Sequence, residues 1–432
     1  MNGNQTWNSR FQTANDQLQY LNKWLIIFMC IWVIWPYINY KAGIYPFFAL
    51  TAVWLLTLDY RWILKGWSLD MILFIIWILT FVPYLVTGNF HYGTMDEKNV
   101  LTAFVLFNFG IFINHYYMYF DKNEVVLGRM VLFSMLFYFI GAIQTYLGLK
   151  KYPLAARELA TGNGLLQDTY VSLGIGGFGF VYSALILNIL LLYFVIKKTA
   201  EVQKIYKWIC FVCFAMISMM LITASYTTSL LLLFIGIIFV LFIKGKLGII
   251  SSVILLILFF LLFSSQVIGY FLINAAHLFE NNQVINSKLL DLAQGFVGGG
   301  VGSQTSGRGH LYLASLETFL KNPLFGIYGP FNNSLNSEVG GHSGWFDLMA
   351  YYGLFGSLPL FGVIFLQFKK QLKYYSNHPY QQVILAAQII FIVLGFINPV
   401  TYIYQIGFVL FAIAPALPFL PYAFQGTLPE RE

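Results

Sequence analysis

Between Ser306 and Gly356 the chain reads SGRGHLYLASLETFLKNPLFGIYGPFNNSLNSEVGGHSGWFDLMAYYGLFG, a polar, glycine-studded stretch with one arginine and two histidines. His342 follows Gly340-Gly341 directly. An imidazole takes a proton near neutral pH, so His342 is the natural general base for activating a hydroxyl. The alternative is an interfacial histidine that hydrogen-bonds lipid headgroups. Arg308 brings a planar fork suited to bidentate contact with phosphate oxygens. Ser306 as N-cap and Pro323 as stop predict a helix with Arg308 in its first turn, where backbone N–H groups favour an anion. A solvated loop arginine is the alternative. His310 is a weaker rival base. Asp347 lies five residues beyond His342, about 140° round a helix, and is not expected to orient the imidazole. Arg157 stands with Lys150 and Lys151 in a second polar loop, where the three charges suit phosphate binding.

These residues interrupt a chain that is otherwise nearly all membrane. Of 432 residues, 59% are hydrophobic and 9% charged, and the mean hydropathy is +0.72. That balance excludes an ordinary soluble enzyme. Apolar runs near 20 residues must span a bilayer as helices, because hydrocarbon leaves no backbone polar group a partner. About twelve such runs are expected, over 24–40, 43–58, 69–87, 100–120, 125–149, 171–196, 206–224, 226–243, 247–271, 343–368, 381–397 and 401–422. Pro46 near the start of the second run predicts a tilt or kink there. The patch Ser225 to Thr228 is expected to turn the chain between the seventh and eighth runs. The expected fold is an all-α integral membrane protein, one polytopic domain over 1–432, with a large extracytoplasmic loop over 272–342 between helices 9 and 10.

Charge orients that layout. With the N-terminus in the cytoplasm, the inner segments hold most of the lysines and arginines, among them Lys197, Lys198, Lys244, Lys246, Lys369 and Lys370. Cytoplasmic loops carry such an excess, so both termini are placed inside and the 272–342 loop outside. The formal charge of +7 is then a consequence of topology, not a sign of nucleic-acid binding. The first 20 residues are polar and lack an apolar core, so the first membrane helix is expected to serve as the signal. Cys30, Cys210 and Cys213 all fall in apolar runs and are taken as packing residues, although the CxxC spacing of the last two also suits redox or zinc chemistry. Arg129 is expected to snorkel to the inner interface.

Within the loop, residues 275–293 carry apolar positions at helical spacing and are expected along the membrane surface. Gly295 to Gly307 is expected to be a flexible connector. Tyr312, Leu313, Leu316, Phe319 and Leu320 then form the apolar stripe of a helix, and Trp345 is expected to anchor at the interface. The 17 acidic residues include no outward-facing cluster of the kind that holds a divalent metal, so no cofactor is expected. No Walker A sequence is present.

Ser306-Gly307-Arg308, the helix ending in Asn322-Pro-Leu-Phe-Gly326, and His342 to Gly356 together resemble the O-antigen ligase and Wzy-type polysaccharide polymerase superfamily. The resemblance implies a GT-C-like helical bundle in a bacterial inner membrane, with its active site on the outer face. It implies metal-independent glycosyl transfer from an oligosaccharide carried on undecaprenyl diphosphate to a growing polysaccharide, with a flippase and a chain-length regulator as further partners. By position, His342 is similar to the family's base and Arg308 to a diphosphate-binding arginine. Arg157, followed by Thr161-Gly-Asn163, is similar to a second arginine. Two positions depart from the pattern: Tyr226 follows Ser225 where many relatives have arginine, and Ser343 follows the histidine where asparagine is common. Arg157, Ser343, Tyr226 and His310 are therefore the candidate substrate contacts around His342 and Arg308.

A polymerase and a ligase differ in acceptor and share donor chemistry, so both readings stay open. A polysaccharide flippase is a third, although coupled transporters usually carry mid-membrane carboxylates, and here Asp59, Asp70, Asp121 and Glu124 fall at span ends.

Overall fold

A computed structural model describes residues 3–59, 61–62, 68–87, 97–153, 155–159, 164–196, 204–224, 226–242, 272–281, 283, 285–287, 289–290, 293, 303–327, 338–401 and 403–424, with backbone alone at 3–17, 19, 83–87, 97–100, 157, 164–167, 227, 242 and 303–309. Among these residues the chain is helical, with no strand. In order come α1 (Gly3–Ile34), α2 (Pro36–Ala42), α3 (Tyr45–Thr57), α4 (Leu69–Thr87) and α5 (Glu97–Asn114), which continues as a π-helix over His115–Phe120. Then follow α6 (Glu124–Lys151), α7 (Ala155–Glu158), α8 (Gly164–Ser172), α9 (Phe178–Ile196), α10 (Lys204–Ala224) and α11 (Thr227–Phe242). The last are α12 (Ser303–Lys321), α13 (Gly344–Tyr374), α14 (Tyr380–Ile397) and α15 (Tyr404–Phe424).

Seven of the described helices are long and apolar enough to cross a membrane: α5 with its π-helical extension, α6, α9, α10, α13, α14 and α15. α3 and parts of α4 and α11 are shorter apolar helices. The run expected over 24–40 is not one straight helix. It bends by 98° between Ile34 and Pro36, because proline cannot continue the hydrogen-bond ladder. The span expected over 171–196 begins only at Phe178, since the chain turns at Leu173-Gly174 after α8. The chain leaves α10 at Ala224 and resumes in α11 at Thr227, so the seventh and eighth runs are separate helices. The run expected over 247–271 lies outside the described residues.

α9 is the central pillar. Every residue from Phe180 to Phe194 is buried, as an apolar surface on all sides requires. α10, α11, α14 and the start of α15 pack around it. α6 is capped by Asn123, whose side chain accepts from the Val126 N–H at 3.1 Å, and it packs along the end of α15. Cys30, Cys210 and Cys213 are buried free thiols. Arg129 Nε donates to the Ala423 carbonyl at 3.1 Å, joining α6 to the end of α15.

Polar contacts gather at the two ends of the bundle. At one end Trp62 donates to His115 Nδ1 at 2.8 Å and Tyr206 to the Pro421 carbonyl at 3.1 Å. There the buried Asp70 of α4 accepts from Gln367 of α13 and lies 3.7 Å from Lys370 Nζ. At the other end Trp35 donates to Gln144 at 2.7 Å, and the Gly176 N–H donates to Thr145 at 2.8 Å. Asp70→Ala leaves the Gln367 amide and Lys370 without their partner, and should cost about 1–3 kcal/mol. Earlier thermal unfolding of the purified protein in detergent checks this; an unchanged transition would show that the clasp carries no stability.

Candidate functional site

α12 begins at Ser303, so Ser306 is not its N-cap and the last residues of the expected connector are helical. Arg308 accordingly falls in the second turn, where the field of the helix N-terminus is weaker than in the first. The helix does end before Pro323, as expected. Its fully buried positions are polar. Ser315 and Thr318 are buried against the loop before α13, whereas Leu313 and Leu320 are 54% and 66% exposed. In a membrane protein apolar side chains can face lipid, and buried polar groups then join the helices.

After α12 the chain docks onto a break inside α13. Gly353 has φ +59° and ψ −164°, a conformation essentially restricted to glycine. The N–H groups of Leu354 and Phe355, freed by this break, donate to the Pro323 and Leu324 carbonyls at 2.8 and 2.9 Å. The Ile327 N–H donates to the Ala350 carbonyl at 3.0 Å. The NPLFG and YGLFG motifs are therefore the two faces of one joint, in which a loop supplies the hydrogen bonds that the interrupted helix lacks.

His342 stands at the other end of the half-helix 344–352. It is half-buried, and its Nδ1 lies 2.9 Å from the Gly340 carbonyl oxygen. A carbonyl only accepts, so Nδ1 carries the proton and the lone pair of the neutral ring is on Nε2. Gly341 has φ +68°, and a Cβ on Gly340 would collide with the Leu311 carbonyl, so this pair of glycines is what lets the loop turn against α12.

The loop is held from both sides. Ser315 Oγ donates to Asp347 Oδ1 at 2.5 Å and accepts from the Gly340 N–H at 2.9 Å. Asp347 Oδ2 accepts from the Ser343 N–H at 3.0 Å, and Thr318 donates to the Glu338 carbonyl at 2.5 Å. Asp347, as expected from its angle, makes no bond to the imidazole, yet it fixes the backbone on which the imidazole is carried.

Ser343 is turned into the protein interior. It is fully buried, caps α13 by accepting from the Phe346 N–H at 3.4 Å, and donates to the Gly395 carbonyl at 3.4 Å. Trp345 Nε1 donates to the Ile392 carbonyl at 2.9 Å. The Gly344 N–H donates to the Asn398 carbonyl at 3.1 Å, so the start of α13 is tied to the end of α14.

Tyr226 is also buried, and its hydroxyl donates to the Ala156 carbonyl, one residue before Arg157. Its ring lies 5.7 Å from that of Tyr182, whose hydroxyl accepts from Asn398 Nδ2 at 3.4 Å. A continuous series of contacts thus connects the Arg157 turn to the His342 loop through Tyr226, Tyr182 and Asn398. Beside Arg157, Glu158 accepts from the Tyr170 hydroxyl at 2.6 Å, and that hydrogen bond holds the phenol above its ordinary pKa. His310 is exposed on α12. The side chains of Arg157 and Arg308 lie outside the described residues. Tyr182, Asn398, Ser315 and Asp347 were not singled out as site residues from the sequence. A signal for Ser315 was present, since Ser315, Thr318 and Asn322 share one helix face at i, i+3, i+7.

Among the described residues no three His, Cys, Asp or Glu side chains gather to hold a metal ion. No family model matches the chain, and no curated protein is similar to it at a significant level.

Proposed function

We propose that this chain is a glycosyltransferase of the bacterial cytoplasmic membrane that joins oligosaccharide repeat units carried on undecaprenyl diphosphate into a polysaccharide. In this reading both termini are cytoplasmic and the His342 end of the bundle faces outward. The observation that carries the proposal is the pose of His342, with Nδ1 committed to the Gly340 carbonyl and Nε2 left as the basic atom.

The acceptor sugar hydroxyl gives its proton to Nε2 as its oxygen forms a bond to the anomeric carbon of the donor. The bond from that carbon to the diphosphate breaks, and undecaprenyl diphosphate leaves with the electron pair. Its growing negative charge is met by Arg308 and by Arg157, on the turn that Tyr226 holds. Resemblance of the 306–356 motifs to the O-antigen ligase and Wzy-type superfamily supports the same reading.

Arg308→Lys retains charge and loses the bidentate fork, so its turnover should fall on the order of 10²-fold. Rates of lipid diphosphate release measure it; a wild-type rate would remove Arg308 from the site. The proposal as a whole is tested by incubating the purified protein in nanodiscs with a synthetic lipid-linked repeat unit. A ladder of multiples of that unit is expected, and recovery of single units alone would overturn the reading.

A further inference from the structure

Asp347 is only 6% exposed, and its two oxygens hold two different pieces of chain, a side chain of α12 and the backbone beside His342. A carboxylate in the first turn of a helix is favoured by the helix dipole wherever it points, but that preference does not explain the partner from another helix. Ser315 is fully buried, and its hydroxyl is used twice, as donor to Asp347 and as acceptor from Gly340. Ser315 Oγ also lies 3.4 Å from the Leu311 carbonyl oxygen, a longer alternative to the bond with Asp347. Gly340 is the residue whose carbonyl accepts from the imidazole.

We infer that Ser315 and Asp347 are positioning residues which set where His342 Nε2 points, by clamping the Gly340–Ser343 loop between α12 and α13. Ser315 lies seven residues beyond Arg308 on the same helix, about 10 Å along its axis. The clamp therefore registers the base against the helix that carries the candidate diphosphate-binding arginine. The inference rests on the glycosyl-transfer reading above and adds to it the device that keeps base and counter-charge in step. A general base displaced by about 1 Å loses on the order of 10²-fold in rate.

The test is a double-mutant cycle on the nanodisc reaction, comparing wild type, Ser315→Ala, His342→Ala and the double variant. Expected are a fall in kcat on the order of 10²-fold for S315A, an unchanged KM for the lipid-linked donor, and a double variant no slower than H342A alone. The last result separates positioning from general stability, because a residue acting only through His342 has nothing to lose once the imidazole is gone. Asp347→Asn, which can accept from only one of the two partners, should repeat the pattern and serves if S315A does not accumulate. Full kcat in both variants, or losses that multiply with that of H342A, would overturn the inference and leave the function intact. A wild type that builds no ladder, or an H342A protein that builds it at full rate, would instead overturn the glycosyl-transfer reading, and this inference with it.

Discussion

His342→Ala is expected to lower the rate of chain growth by about 10²–10⁴-fold while leaving the protein folded in the membrane. Among the described residues the imidazole's hydrogen bond is the one from Nδ1 to Gly340, within its own loop. The bonds that hold that loop come from Ser315, Thr318, Asp347 and the backbone of Asn398, none of which passes through the ring. Removing the ring should therefore spare the fold and abolish the proton transfer. Cells carrying the variant should accumulate single lipid-linked repeat units, and gel analysis of their glycan reads this directly. Long glycan at wild-type abundance would show that another group accepts the proton.

Gly353→Ala should have the second largest effect, and it acts on the fold. A side chain at φ +59° and ψ −164° is strained by about 1–3 kcal/mol, and its Cβ would collide with the Leu324 carbonyl group. Relief requires pulling the 322–327 loop away, which releases the hydrogen bonds from Leu354 and Phe355 at about 1 kcal/mol each. The half-helix that begins beside His342 then loses its lower joint. The variant is expected to accumulate poorly or to unfold at a lower temperature than wild type, and its residual activity should fall further than its amount. Wild-type melting and activity would mean that the break at Gly353 supports neither fold nor site.

The helices were legible because hydrocarbon forces every span into one continuous apolar run, and the bend at Pro36 had its cause in plain view. The break at Gly353 was not, since a glycine within an apolar run does not reveal its φ. YGLFG and NPLFG stood out as motifs, but that each completes the backbone of the other needed their positions in space. The leucine stripe of α12 identified the helix, but not that Ser315 and Thr318 are its buried contacts, because polar partners set the inward side of a membrane helix. Ser343 and Tyr226 were chosen by position against a family pattern. Both are buried and hold backbone in place, Ser343 at the start of α13 and Tyr226 at the Arg157 turn. The pose of His342 needed the loop geometry, as sequence cannot say which ring nitrogen meets a carbonyl.

The most direct measurement is a structure of the protein in a lipid nanodisc with a non-hydrolysable lipid diphosphate sugar. The account predicts the diphosphate within hydrogen-bonding distance of the Arg308 guanidinium, with His342 Nε2 facing the anomeric carbon across the space an acceptor hydroxyl would fill. A diphosphate bound at the Asp70–Lys370 end of the bundle, or an imidazole turned away from the donor, would contradict it.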